Sequence, residues 1–194
     1  MAAAQKKRPA RPERSPAMER RDPDEAARHM RPLLWAVPLS ILIHNIEEFP
    51  QIVPYAQRHG VPIRMRPMGI AVALATLLPL PLTMAAVRRP SNRRLRQAAM
   101  ASAALMACNA AAHLAQTIAL RERSPGAVTG LCVNLPLAVA FYRRAIACGY
   151  LAPREARRAA LVGVALMAPA ALILQLVGHA ADWALRTMGR TGQP

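Results

Sequence analysis

Beyond residue 32 the chain alternates long apolar stretches with short clusters of charge. Four stretches stand out, 68–87, 98–120, 126–142 and 159–182. Each is near the roughly 20 residues that carry a helix across a hydrocarbon core. A fifth, 33–49, is shorter and ends in IHNIEEF. The pattern predicts an all-α integral membrane bundle of five transmembrane helices. Prolines at 38, 79, 81, 136 and 169 predict kinks that open room between helices. The third stretch lacks proline and is rich in alanine, which suits close contact and predicts a place at the bundle centre.

Charge refines this picture. A net charge of +16 in a soluble chain would point to nucleic acid. Here the even spacing of the basic clusters gives a topological explanation, and no nucleic-acid partner is expected. With the N-terminus cytoplasmic and the C-terminus outside, 19 of the 26 Lys and Arg fall on inner segments, as the positive-inside rule requires. Residues 1–31 are rich in Pro, Arg and Ala and cannot bury enough apolar surface to fold alone, so a disordered basic tail is expected there. A transmembrane domain over 32–186 and a short flexible tail over 187–194 complete the plan, and no small-residue cleavage site follows the first stretch. The setting is the cell membrane. Cys108, Cys132 and Cys148 sit in or beside apolar segments without CxxC spacing, which argues against a disulfide framework.

Polar residues inside the apolar stretches carry the candidate chemistry. At helical spacing Ser40, His44, Glu47 or Glu48, and Gln51 form one stripe on the first stretch, and Pro50 is expected to end that helix. Asn109, His113, Gln116 and Thr117 repeat the pattern on the third, and Gln175, His179 and Asp182 on the fifth. At 1.5 Å per residue, His44 and Glu47 lie roughly 17 to 22 Å from the inner end of their helix and His113 roughly 22 Å from its own, so they can meet at one depth. His179, roughly 30 Å along, falls nearer the outer surface, where it would pair with Asp182. A carboxylate near mid-membrane costs on the order of 2.5 to 3.5 kcal/mol even on lenient scales, so two adjacent ones call for protonation, pairing or a cation. The rival placement sets Glu47 and Glu48 at the outer interface, in water.

His44, Asn45, Ile46, Glu47 and Glu48 match the signature of the HXXEE domain family, which this chain resembles over most of its length after the tail. Asn109-Ala-Ala-Ala-His113 resembles that family's second histidine. Its Tyr-x-Pro-Gly element has a counterpart in Arg123, Ser124, Pro125 and Gly126, with arginine in place of the tyrosine. The resemblance implies a small multi-pass membrane protein and supplies no substrate.

Neutral imidazole with carboxylate suits zinc or non-haem iron, so His44, Glu47, Glu48 and His113 are candidate ligands of a divalent metal, with His179 as a fourth. The same His44, Glu47, Glu48 and His113 serve as candidate catalytic groups, with metal or as acid and base alone. Asn109, Gln116 and Asp182 are assigned supporting roles, with Pro125 and Gly126 beside them through the resemblance. The leading expectation is a membrane-embedded enzyme performing hydrolysis or isomerisation on a lipid-like substrate drawn from the bilayer. The alternatives are a proton- or ion-coupled transporter, for which five short spans would need a homodimer, and an accessory protein whose stripes only join helices.

Overall fold

In a computed structural model of the chain the described residues run from 23 to 191, and all of their regular structure is helical. The elements are α1 (Pro23–Arg58), α2 (Met65–Leu77), α3 (Pro79–Arg88), α4 (Arg93–Leu120), α5 (Ala127–Thr129), a π-helical turn (Gly130–Asn134), α6 (Leu135–Ala147) and α7 (Pro153–Thr191). They form five rods, because α2 and α3 join across Leu78 and the π turn joins α5 to α6. Three rods are apolar and long enough to cross a membrane: Met65–Arg88, Arg93–Leu120 and Pro153–Met188. The first rod, diluted by His44, Asn45, Glu47 and Glu48, and the broken fourth rod do not meet that measure.

Two boundaries differ from expectation. Helix α1 begins at Pro23, within the stretch expected to be disordered, because Ala26, Ala27 and Met30 are buried against the other helices. The remaining tail and the last three residues lie outside the described residues, and α7 continues to Thr191. Nor does α1 stop at Pro50; it passes through Pro50 and Pro54 to Arg58. A proline inside a helix strips one donor from the preceding turn. The Gln51 side-chain amide bonds the Glu47 carbonyl at 2.9 Å, next to the Ile46 carbonyl that Pro50 leaves without its helical donor.

As its alanine content predicts, α4 lies centrally and packs against α1, α3, α5, the π turn, α6 and α7. Its N-cap is Asn92, whose side chain accepts from the Arg94 and Leu95 amides. Gly163 of α7 sits against the Ala101 carbonyl and Ala104, and Gly178 against the Pro67 carbonyl, so any side chain there would force the helices apart. One end of the bundle is a dry core built on Met30, Leu34, Met100, Phe141 and Tyr150. Burial pushes the Tyr150 phenol up to about 12. The other end is polar.

Candidate metal centre

His44 and His113 are both buried, and their ring centres lie 5.2 Å apart. Glu48, also on α1, reaches between them: its Oε2 is 3.3 Å from His44 Nε2 and its Oε1 is 3.6 Å from His113 Nε2. One donor atom from each of the three residues lies within 4.8 Å of the others. The helical bundle therefore holds a buried cluster able to coordinate a metal. In a tetrahedral zinc site with bonds near 2.0–2.1 Å, neighbouring donors stand roughly 3.3 Å apart, close to the two separations between Glu48 and the histidines.

Hydrogen bonds fix which ring nitrogens face the centre. The Thr129 hydroxyl donates to Glu47 Oε2 at 2.6 Å, leaving its lone pair to accept from His44 Nδ1 at 3.0 Å. Glu47, as a carboxylate, can only accept, so the proton of His44 belongs on Nδ1 and Nε2 is left bare. The second histidine is built alike. The Ser124 hydroxyl donates to Gln116 Oε1 at 2.9 Å and accepts from His113 Nδ1 at 3.1 Å. Asn109 then turns its Nδ2 amide to both bare nitrogens, 3.1 Å from His44 Nε2 and 3.2 Å from His113 Nε2. Both imidazoles thus turn a bare Nε2 to the Asn109 amide and stand beside one carboxylate, each oriented from behind by a hydroxyl that has its own acceptor.

The loop after α4 makes this possible. Arg121 ends α4 in the left-handed region at φ 51°, and Gly126 follows at φ 77°. A Cβ on Gly126 would stand 2.5 Å from His44 Cε1, so only glycine lets the loop lie against the imidazole. Ser124 and Pro125 beneath it are fully buried. Thr117 locks the serine by donating to the His113 carbonyl and accepting from the Ser124 amide at 3.0 Å.

Of the residues expected at the site, His44, Glu48, His113, Asn109, Gln116 and Gly126 meet. Glu47 is turned away: it accepts from the Thr129 amide at 2.8 Å and faces the Val128 amide at 3.4 Å, capping α5. It orients Thr129 and is absent from the ligand group. His179 is not in that group either. Asp182, its expected partner, is buried between Arg66 at 3.4 Å and Arg186 at 2.9 Å. Ser124, directly before the Pro-Gly pair, and Thr129, three residues after it, are not among the expected site residues.

The cluster opens on a cavity of about 510 Å³ between α1, α2, α4 and α7. Its walls are apolar, with Ile41, Met68, Val72, Leu105, Met167 and Leu174 among them. Asn134, at the end of the π turn, lines it with a buried side-chain carbonyl that has no hydrogen-bond partner among the described residues. The π turn follows from Gly130, which lets the backbone close on Ala110, and from Pro136, which cannot donate into a regular α-turn.

A family model described as a protein of unknown function with HXXEE motif matches residues 35–141, more than half of the chain. No curated protein and no solved structure matches it. The matched region contains every residue of the cluster and stops before α7.

Proposed function

Because the chain belongs to the family of proteins of unknown function with the HXXEE motif, we propose its activity from the site: a membrane-embedded, metal-dependent enzyme acting on a lipid-like substrate. The observation that carries this reading is the gathering of two bare Nε2 atoms and the Glu48 carboxylate within 4.8 Å, each imidazole held in that tautomer by Thr129 or Ser124. Two histidines and one carboxylate with an open side suit zinc or iron in a catalytic site. Such an ion, when bound, polarises a substrate oxygen or activates water.

The chain's own groups define the rest. The Asn109 amide, which donates to both Nε2 atoms, would be released if an ion took those lone pairs and could then steady a substrate oxygen. Glu48 has a second carboxylate oxygen to take a proton. The apolar walls favour a chain-bearing molecule entering sideways from lipid and keep bulk water away. Hydrolysis or isomerisation is the chemistry these parts support. The five rods, with basic clusters on alternate connections, fit five crossings with the N-terminus in the cytoplasm.

The test is metal content of the full-length protein purified in detergent. About one zinc or iron per chain is expected, the stoichiometry of a single three-ligand site. Glu48→Gln and His113→Ala should lose it while keeping the helical circular dichroism. Wild-type protein that takes up no metal, even after incubation with zinc or ferrous iron, would remove the reading. Substrate turnover in micelles, which have no sealed compartment, separates an enzyme from a transporter.

A further inference from the structure

The cavity beside the cluster is polar at one end and apolar along the rest. Asn45, Glu48, Asn109, His113, Gln116 and Gln175 gather at the cluster end. Away from it the walls are Ile41, Leu78, Pro79, Leu105, Met106 and Met167, with Asn134 and Ser102 the polar exceptions. Three of the four walls give the same length. The lining runs from Ile52 to Ile41 on α1, from Met68 to Pro79 across α2 and α3, and from His113 to Ser102 on α4. At a rise of about 1.5 Å per residue each stretch is about 16 Å long.

A volume of about 510 Å³ drawn out over that length makes a slot, longer than it is wide. Ala75, Ala112, Ala170 and Ala171 leave it open because their side chains end at Cβ. Met68, Met106 and Met167 give it walls that adjust to an occupant. Ser102 lies one helical turn beyond Leu105 and Met106 and is the deepest α4 residue in the lining. Polar groups confined to one end of a long apolar slot suit an amphiphile whose head stays there and whose tail runs the other way. The hydrocarbon core of a bilayer is about 30 Å thick, so the chain of one leaflet reaches about 15 Å, close to the length of this slot.

We infer that the slot binds one unbranched lipid chain, with its head at the His44–Glu48–His113 cluster and its terminal methyl at Ser102, so that Ser102 sets the chain length accepted. The inference rests on the reading of the cluster as an enzyme site and deepens it by naming the substrate class, a single-chain amphiphile. Seating the chain itself requires no metal.

The test uses the full-length protein in nanodiscs of dioleoyl phosphatidylcholine, so that no detergent chain competes. Tetradecanol with a photoreactive diazirine at its terminal carbon is the probe, and labelled residues are mapped by mass spectrometry. Labels are expected on Ser102, Met106 or Met167. With the diazirine moved beside the hydroxyl they should shift to Gln116 or Gln175. Unlabelled tetradecanol should displace the probe, and cholesterol should not. Ser102→Phe should weaken tetradecanol about tenfold and leave decanol unchanged, because the ring takes the place of the last methylenes. Ser102→Ala keeps the deep end open and should bind both as wild type does. Helical circular dichroism checks that Ser102→Phe folds, and the wild-type labelling stands without it. Terminal labels at Gln116 or Gln175, labels confined to the exposed Leu172 and Ile173 of α7, or displacement by cholesterol equal to that by tetradecanol overturns the proposal. Chain binding in protein that takes up no metal upholds the slot and removes only the metal-dependent reading; metal uptake without chain binding does the reverse.

Discussion

Along one face of α1 the buried residues run Ala26, Met30, Leu34, Val37, Ser40, His44. Over the first four the face meets Met100, Phe141 and Tyr150 in a dry core. Over the last two it meets Met106, Asn109 and Thr129 through hydrogen bonds and His113 through a tilted ring contact. Helix α4 changes in the same way, from Met100 and Ala103 to Asn109 and His113. The same helices, packed on the same faces, thus do two jobs. In the apolar half close packing joins them, since lipid offers no hydrophobic drive for helices to associate. In the polar half hydrogen bonds orient side chains around a cavity, and packing is given up to make room. Stability and chemistry are therefore separable along the bundle axis.

The strongest challenge to that separation is Gly163→Leu. A side chain there meets the Ala101 carbonyl and Ala104, so α7 should fail to dock on α4, with a loss of more than about 4 kcal/mol and a broad, early peak in size-exclusion chromatography. Next comes Met100→Ala in the dry half, fully buried. It should cost about 2–5 kcal/mol in denaturant unfolding and leave metal per chain unchanged. In the polar half the balance reverses. Gly126→Ala puts a Cβ against His44 at a φ of 77° and should weaken metal binding about 100-fold, with an unfolding cost nearer 1–3 kcal/mol.

Thr129→Val keeps the shape but removes the hydroxyl between Glu47 and His44. Competition with a chelator should show metal affinity about 10- to 100-fold lower, largely restored in Thr129→Ser, and the unfolding temperature should barely move. The smallest effect concerns the loop ends. The hydrogen bond from Arg58 holds the Glu122 carboxyl below its ordinary value of 4.5. A carboxylate with a depressed pKa stabilises the fold above its ordinary value and loses that contribution as pH falls through the folded value. Glu122→Gln should therefore unfold slightly earlier than wild type at pH 7, and the two curves should converge in acid.

Much of the site could be read from spacing. Depth along each helix follows from the rise per residue, so His44 and His113 were expected to meet, and they do. Spacing could not separate the two glutamates. At about 100° per residue Glu47 lies about 60° to one side of His44 and Glu48 about 40° to the other, so both share its face. The α5 amides and Thr129, which arrive from a rod far along the chain, take Glu47 and leave Glu48 to the histidines. Asp182 shows the same limit in part: besides Arg186, four residues on along its own helix, it is held by Arg66, which arrives from α2.

The sequence by itself determined the helical rods, the polar stripes and the depth of His44 and His113, because these depend on local periodicity and on how long an apolar run is. Only the tertiary structure decided which carboxylate enters the cluster, which nitrogen each histidine turns inward and how far α1 runs. Those outcomes depend on hydrogen-bond partners brought from other helices, and on buried contacts that hold Pro23–Arg58 helical through four internal prolines.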